Sequence, residues 1–532
     1  MRLFVLCAAL AALAAPAAAP AQAYEERPMR LPATGPGAVA AASQPATWLV
    51  AAQSRSRRAD AIARRFGATR LRTGAVYEVA SGRARALAGA LRRAGTLRYA
   101  EPNAPLQRAS ALDAASGGYA RGYVVDPGLA PPAPGAAAIA VVDDLVDTSH
   151  PDVGHARQLR PGPVLGPHGT MVASAAAAAF NGFGVVGVFP SAPVLSVGLP
   201  PEISCADAAN GVDAAASAGA KVINLSFGSP SDCASLFAAV QIAYARGSLV
   251  VAAAGNEFAA GNPVIYPAAY PHVLSVAALD SNLAPSGFSS ENTAVDVAAP
   301  GVNIPLAIPG AFDTDGTPDG VTLASGTSFA APIVSGAAAW LATARRNLSN
   351  GQIADVLRRS ARDVGARGYD PASGFGLVQM GRALAQPTPA RDVLEPNDGI
   401  SFIDGSVFAK PDPYIWRGSG KRSLGGTADR VEDPIDVYRV RLRARSRARV
   451  RLRVRFGNPD LDVYSSRARS VNDRSKVVAR SRLGTRRTES VAITNRSRSP
   501  RRFYIAITIG RDAAGALNAG YRLELERIKF RR

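Results

Sequence analysis

Lysine, histidine, cysteine, methionine and tryptophan are all scarce in this chain. Only 5 of the 61 basic residues are Lys, a bias that reflects GC-rich coding as much as function. Three Cys in 532 residues exclude a dense disulfide framework. With Cys7 in an N-terminal leader, Cys205 and Cys233 can form at most one bridge, as expected in an oxidising compartment. Imidazole chemistry must draw on His150, His155, His168 or His272, the 4 His present. No segment beyond residue 23 reaches the roughly 18 uninterrupted apolar residues of a bilayer-spanning helix. No Gly-x-Ser-x-Gly string occurs, which weighs against an α/β-hydrolase nucleophile elbow. Charged residues at 19% and apolar residues at 47% exclude a wholly disordered chain.

The charge that is present falls in three blocks. Residues 24–119 carry 15 Arg and 6 acids, residues 120–385 carry 12 Lys or Arg and 19 acids, and residues 391–532 carry 33 and 16. Balances of +9, −7 and +17 within a net +20 suggest three modules. Ahead of them, Met1-Arg2 and the Ala/Leu-rich run to Ala23 have the build of a secretory signal, with Ala21-Gln22-Ala23 at the cleavage positions. An exported, soluble mature protein is expected.

Residues 47–52, 76–79 and 97–100 read as strands and 57–66 and 83–94 as helices, a small α/β unit with its core at about 47–107. A Gly/Ala/Pro-rich linker follows, to about Gly135. From residue 137 to 385, apolar strand runs alternate with Ala-rich helical runs. The strand runs are 138–142, 194–197, 221–225, 249–253 and 273–276. Continuous apolar strands between helices predict a parallel sheet covered on both faces, with function at the carboxyl ends of its strands. After Pro389 the texture becomes all-β. Arg occupies every odd position from Arg439 to Arg455 with Val440, Leu442, Val450, Leu452 and Val454 between, which predicts a half-buried antiparallel sheet.

Four polar clusters stand at strand or helix ends of the middle module: Asp143, Pro167-His168-Gly169-Thr170, Gly255-Asn256 and Gly326-Thr327-Ser328. An acid, an imidazole and a hydroxyl are the parts of a nucleophilic triad. Ser328 would open an Ala-rich helix, whose positive dipole end favours developing negative charge. Five strings carry a resemblance here. They are Ala140-Val141-Val142-Asp143 with Ser149-His150-Pro151-Asp152, His168-Gly169-Thr170, Asn224-Leu225-Ser226-Phe227-Gly228, Ala252-Ala253-Ala254-Gly255-Asn256, and Ser325-Gly326-Thr327-Ser328-Phe329-Ala330-Ala331-Pro332. In this order and spacing, residues 137–385 resemble the subtilisin-like serine peptidases.

The resemblance implies a subtilisin-like α/β fold, a serine endopeptidase, and a role for each matching residue. Asp143 would be the orienting acid, His168 the general base, Ser328 the nucleophile and Asn256 a donor to the oxyanion. Asp143 or Asp144 could be the acid. The family's spacing of seven residues to the His of His-Pro-Asp, here His150, selects Asp143 and leaves Asp144 pointing elsewhere. The other three His read as turn or surface residues. Ser226-Phe227-Gly228 would pair with substrate backbone. Ile265, before Tyr266-Pro267, stands where relatives place Gly, and would fill part of the pocket for the residue preceding the cut.

The resemblance extends outward. Residues 24–119 look like the family's inhibitory propeptide and linker, an intramolecular inhibitor whose charge complements the catalytic segment at 120–385. Residues 391–532 resemble a pre-peptidase-type β-sandwich through Glu395-Pro396-Asn397-Asp398, Asp433-Pro434-Ile435-Asp436-Val437-Tyr438 and Pro459-Asp460-Leu461-Asp462-Val463-Tyr464. The chemistry requires no cofactor. A structural calcium is implied through Asp152 and Asn181, which match side-chain ligands of one family site; no further metal ligand is assigned. Expected partners are protein or peptide substrates, with the chain acting as a secreted monomer. The Arg ladder adds contact with anionic polymers or the cell envelope, and hence the cell surface. Two rival functions remain: a catalytically inactive scaffold, and a polyanion binder acting through the basic C-terminal module.

Overall fold

The computed structural model describes residues 46–532 apart from 73, 109–120, 133–136, 191, 390, 393, 407, 409–410, 430–432, 485–486, 511–517 and 531–532. The expected secretory signal at 1–23, the rest of the leader to 45 and most of the linker lie outside the described residues.

The N-terminal unit is an antiparallel sheet of Thr69–Arg70, Val76–Ala80, Thr47–Ala52 and Leu97–Pro102, in that spatial order. Helices Arg57–Arg65 and Ser81–Arg93 bury Ala59, Ala63, Leu87 and Leu91 against Val50 and Tyr77. Ser56 starts the first helix by accepting the Ala59 N–H at 3.0 Å.

A seven-stranded sheet forms the centre of the molecule. Its spatial order is Val297–Pro300, Val273–Leu279, Leu249–Ala253, Val222–Leu225, Ile139–Asp143, Val194–Gly198 and Arg157–Gln158. Every neighbouring pair is parallel. Alternate side chains enter two cores, one on each face, as apolar strands with no polar face require. Helix Thr327–Ala344 is apolar enough to span a bilayer by composition, but 94% of it is buried against the sheet. On the opposite face a disulfide joins Cys205, at the start of helix Cys205–Ser217, to Cys233, the N-cap of helix Ala234–Ala245. Closing that 28-residue separation constrains the unfolded chain by roughly 3.5 kcal/mol in the loop-entropy account.

Two four-stranded antiparallel sheets follow. One is ordered Lys421–Asp429, Asn518–Ile528, Ser446–Phe456, Glu489–Asn495, the other Ile435–Leu442, Arg501–Ile509, Pro459–Ser465, Val477–Ser481. They sandwich Val440, Leu442, Val450, Leu452, Ile505 and Leu523. The Arg ladder is not one continuous face. Arg439 and Arg449 stand on strands of different sheets, and Arg445 turns between them at a φ of 45°. Arg439 is buried over the Tyr414 ring. Arg449 and Arg453 meet Glu526 at 3.2 Å and Glu524 at 2.8 Å on the neighbouring strand. Period two in sequence thus conceals a change of sheet at residues 443–445.

Candidate active site

The parallel sheet delivers its first functional group at a strand end. Asp143 closes Ile139–Asp143 and is fully buried; its Oδ1 lies 2.8 Å from His168 Nδ1. A buried carboxylate there keeps the proton on Nδ1, so Nε2 presents a lone pair. That Nε2 is buried without a hydrogen-bond partner.

Asp144 does not turn away from the site. Its Oδ2 accepts the His168 backbone N–H at 3.2 Å, at the start of helix His168–Ala177, while its own N–H donates to Asp143 Oδ1 at 2.7 Å. Asp144 therefore holds the helix that carries the imidazole, and an acid at a helix N-terminus is favourably placed. Gly169 is required beside it: a Cβ would stand 1.9 Å from the Asp144 carbonyl oxygen.

Ser328 is fully buried in the first turn of Thr327–Ala344. Its Oγ donates to the Ser226 carbonyl at 3.1 Å, and Ser226 Oγ donates to the Ser328 carbonyl at 2.8 Å. Asn256 follows strand Leu249–Ala253. Its Oδ1 accepts from Thr327 N–H at 3.0 Å and Thr327 Oγ1 at 2.8 Å. Two donors on the oxygen fix which way the amide NH₂ faces. Thr327 was given no role from sequence, although it stands in the string that carries Ser328.

A strand of the N-terminal unit occupies the groove beside these residues. Pro105–Arg108 lies between Phe227–Gly228 and Ile203–Ser204 as the middle of a three-stranded antiparallel sheet. Gln107 pairs with Gly228 and Arg108 with Phe227, while Leu106 pairs with Ile203 and is buried. The Ser226-Phe227-Gly228 segment thus pairs with extended backbone. Ile265 is buried beside it. Its Cγ2 sits 2.4 Å from where a Gly228 Cβ would stand, and its Cγ1 2.6 Å from that of Gly255. The Ile side chain fills the gap between these two glycines.

Among the described residues, charge complementarity contributes one contact to this docking, Arg72 to Asp213 at 3.6 Å. Shorter contacts come from an acid and an amide on the basic segment. Glu101 accepts from Ala234 and Ser235 N–H at 2.6 and 2.9 Å, and Asn103 Oδ1 accepts from Ala206 N–H at 3.0 Å. Both cap helices of the central α/β domain at their positive ends.

Two of the remaining His, His150 and His272, depart from the sequence expectation, and His155 meets it. His150 is buried, its Nε2 2.9 Å from the Gly320 carbonyl and its Nδ1 accepting from Asp152 N–H at 3.2 Å. It fastens two loops. His272 is buried under the C-terminal sandwich, because that module packs over the end of strand Val273–Leu279. His155 is exposed. The oxygens expected to hold calcium already accept protein hydrogen bonds. Asp152 Oδ1 accepts from Asn181 Nδ2 at 3.1 Å, Asp152 Oδ2 from Val185 N–H at 2.8 Å, and Asn181 Oδ1 from Phe183 N–H at 2.9 Å. As arranged, the pair does not fit an ion between its members.

Comparison with known proteins points to one family. The model of the subtilase family (Peptidase_S8) matches residues 135–376. Subtilisin Savinase of Lederbergia lenta is 38% identical over 255 residues, covering 45% of this chain and 87% of that protein. Subtilisin amylosacchariticus of Bacillus subtilis subsp. amylosacchariticus is 36% identical over 264 residues, 47% of this chain. The match spans 65% of that relative's own length. Among solved structures, fervidolysin from Fervidobacterium pennivorans, described as a keratinolytic enzyme related to subtilisin, aligns with a TM-score of 0.56 at 20% identity, covering 84% of each chain.

Proposed function

The chain belongs to the subtilase family, and on that premise we propose that it is a secreted serine endopeptidase, made as a precursor and activated by removing its own N-terminal unit. The observation that carries this reading is the 2.8 Å Asp143–His168 contact, beside a serine opening a long helix. In the proposed mechanism Ser328 Oγ attacks the scissile carbonyl and gives its proton to His168 Nε2. Asp143 stabilises the imidazolium that forms, and the proton passes to the leaving amine. Negative charge on the tetrahedral oxygen falls to Asn256 and the backbone N–H groups at the helix start. Substrate is held as an added strand against Ser226-Phe227-Gly228.

The groove strand supports the reading of residues 24–119 as an inhibitory propeptide. As it runs from Gln107 to Arg108, its partners run from Gly228 to Phe227, toward Ser226, whose carbonyl contacts Ser328. Self-cleavage is therefore expected just beyond Arg108, with the mature N-terminus at 110–112. Intact-mass measurement of the matured enzyme checks this; a mature chain beginning before Pro105 or after residue 120 contradicts it.

Ala109-Ser110-Ala111 are all small, which suits a pocket narrowed by Ile265. We expect cleavage after Ala, Val or Leu to exceed cleavage after Phe or Tyr. One methylene is worth about 1–3 kcal/mol in such pockets, and exclusion of a ring at least as much. Ile265→Gly should raise kcat/KM on a Phe peptide relative to the matched Ala peptide. Equal turnover of Phe and Ala peptides by the parent enzyme rejects the narrowed pocket. Hydrolysis of such peptides by the matured wild-type protein, absent in Ser328→Ala, tests the endopeptidase assignment itself.

A further inference from the structure

The N-terminal unit meets the central domain at two helix starts, and a disulfide ties those two starts together. Helix Cys205–Ser217 opens on Cys205 itself, and helix Ala234–Ala245 follows Cys233 directly. The bridge joins residues 28 apart in sequence and holds their Cα atoms 6.0 Å apart. Both cysteines are buried, in an apolar cluster that Leu49, Ala51, Leu71 and Val76 of the N-terminal sheet also enter. The unit therefore packs over the bridge as well as over the helices.

At each start the unit supplies a missing cap. The first four N–H groups of a helix have no partner inside it. Cys233, at the N-cap of Ala234–Ala245, makes no side-chain hydrogen bond to that helix, as expected of a weakly accepting sulfur. Glu101 takes over the role, its two carboxylate oxygens accepting from Ala234 and Ser235 N–H. Helix Cys205–Ser217 has its own capping box in Ser204 and Asp207, which leaves the N–H groups of Cys205 and Ala206. Those donate to the Ala104 carbonyl at 3.0 Å and to Asn103 Oδ1 at 3.0 Å. The Asn103 amide is itself aimed, since its Nδ2 donates to Thr47 Oγ1 and Glu78 Oε1, each at 3.0 Å.

The spacings agree. Glu101 and Asn103 are two residues apart on an extended chain: strand Leu97–Pro102 is prolonged by Asn103 N–H, which donates to the Thr47 carbonyl at 3.0 Å. Alternate residues of such a chain stand on one face about 6.5 Å apart, against the 6.0 Å between the bridged Cα atoms. One strand can cap both helices only while their starts stay that close.

We propose that the Cys205–Cys233 bridge is a positioning element for the N-terminal unit: it sets the two helix starts at the repeat of the strand that caps them, so that the unit docks tightly only on the oxidised domain. This rests on reading residues 24–119 as an intramolecular inhibitor. Docking, and with it self-cleavage beyond Arg108, then follows bridge closure in an oxidising compartment.

The test is a double-mutant cycle in the full-length Ser328→Ala precursor, crossing Glu101→Ala with the Cys205→Ser, Cys233→Ser pair. Hydrogen exchange of the peptide carrying the Ala234 and Ser235 amides reads local undocking. With the bridge present, Glu101→Ala should lower protection there at least tenfold; without the bridge, less than threefold. Equal losses in both backgrounds overturn the proposal, because a bridge that only stabilises the domain acts independently of the cap. The cycle uses a chain that is never cut, whereas the mature N-terminus of the wild-type enzyme tests the inhibitor reading, so either can fail with the other standing. Should the Ser pair not fold, reciprocity supplies a measurement on bridged protein alone, since docking must stabilise the bridge by the factor by which the bridge stabilises docking. The Ser328→Ala precursor and its Glu101→Ala, Asn103→Ala variant are equilibrated in dithiothreitol redox buffers, and thiols on the Cys205 and Cys233 peptides are counted by mass. The ratio of reduced to oxidised dithiothreitol that opens half the bridges should be at least tenfold lower in the variant; an unchanged ratio overturns the proposal.

Discussion

Ser328→Ala is expected to abolish peptide hydrolysis and leave the precursor at full length, with its N-terminal unit still seated in the groove. Subtilisin, a relative, supplies the scale, a loss of about 10⁶-fold in kcat when its serine or histidine is removed. The reasoning rests on position. Ser328 is buried at the start of an 18-residue helix, and its Oγ contacts the Ser226 carbonyl, beside the strand that pairs with Pro105–Arg108. His168→Ala should behave alike, because in the proposed mechanism its Nε2 is the base and Asp143 orients it. His150→Ala should keep most activity, since that ring joins the Gly320 carbonyl to the Asp152 backbone. Gel analysis of each variant made in a protease-deficient host reads the outcome. Normal maturation of Ser328→Ala there would remove the serine from the mechanism.

Asn256→Ala should lower kcat by about 10²–10³, roughly 2.7–4 kcal/mol of transition-state stabilisation, a scale again set by subtilisin. KM should change little, because the oxyanion exists only along the reaction path. The pinning of Asn256 Oδ1 by both donors of Thr327 holds the amide before charge develops. Thr327→Val, which removes one of the two, should lose less than Asn256→Ala. Steady-state kinetics on one peptide separates the cases: a raised KM with unchanged kcat would make Asn256 a ground-state contact instead.

The local patterns of this chain were readable, and its long-range partnerships were not. Strand Leu249–Ala253 falls where its apolar run ends, because a parallel strand covered on both faces needs no alternation. The polar clusters at strand ends follow from the same geometry. Asp144 was misjudged, because its contact is the N–H of a residue 24 positions later. Glu101 drew no notice inside a basic segment, yet it caps a helix 133 residues away. His272 looked like a turn residue because nothing local reveals that residues 395 and 398 cover it. The Arg ladder shows the reverse error: an uninterrupted period of two crosses a turn between two sheets, which periodicity alone cannot detect.

The central claim is that Asp143 and His168 activate Ser328. Labelling the matured enzyme with a fluorophosphonate probe tests it most directly, because only an activated serine reacts. One probe per chain on the peptide containing Ser328, with labelling lost in His168→Ala, is the predicted result. A folded, matured chain that takes up no probe, or takes it up on another serine, would contradict it.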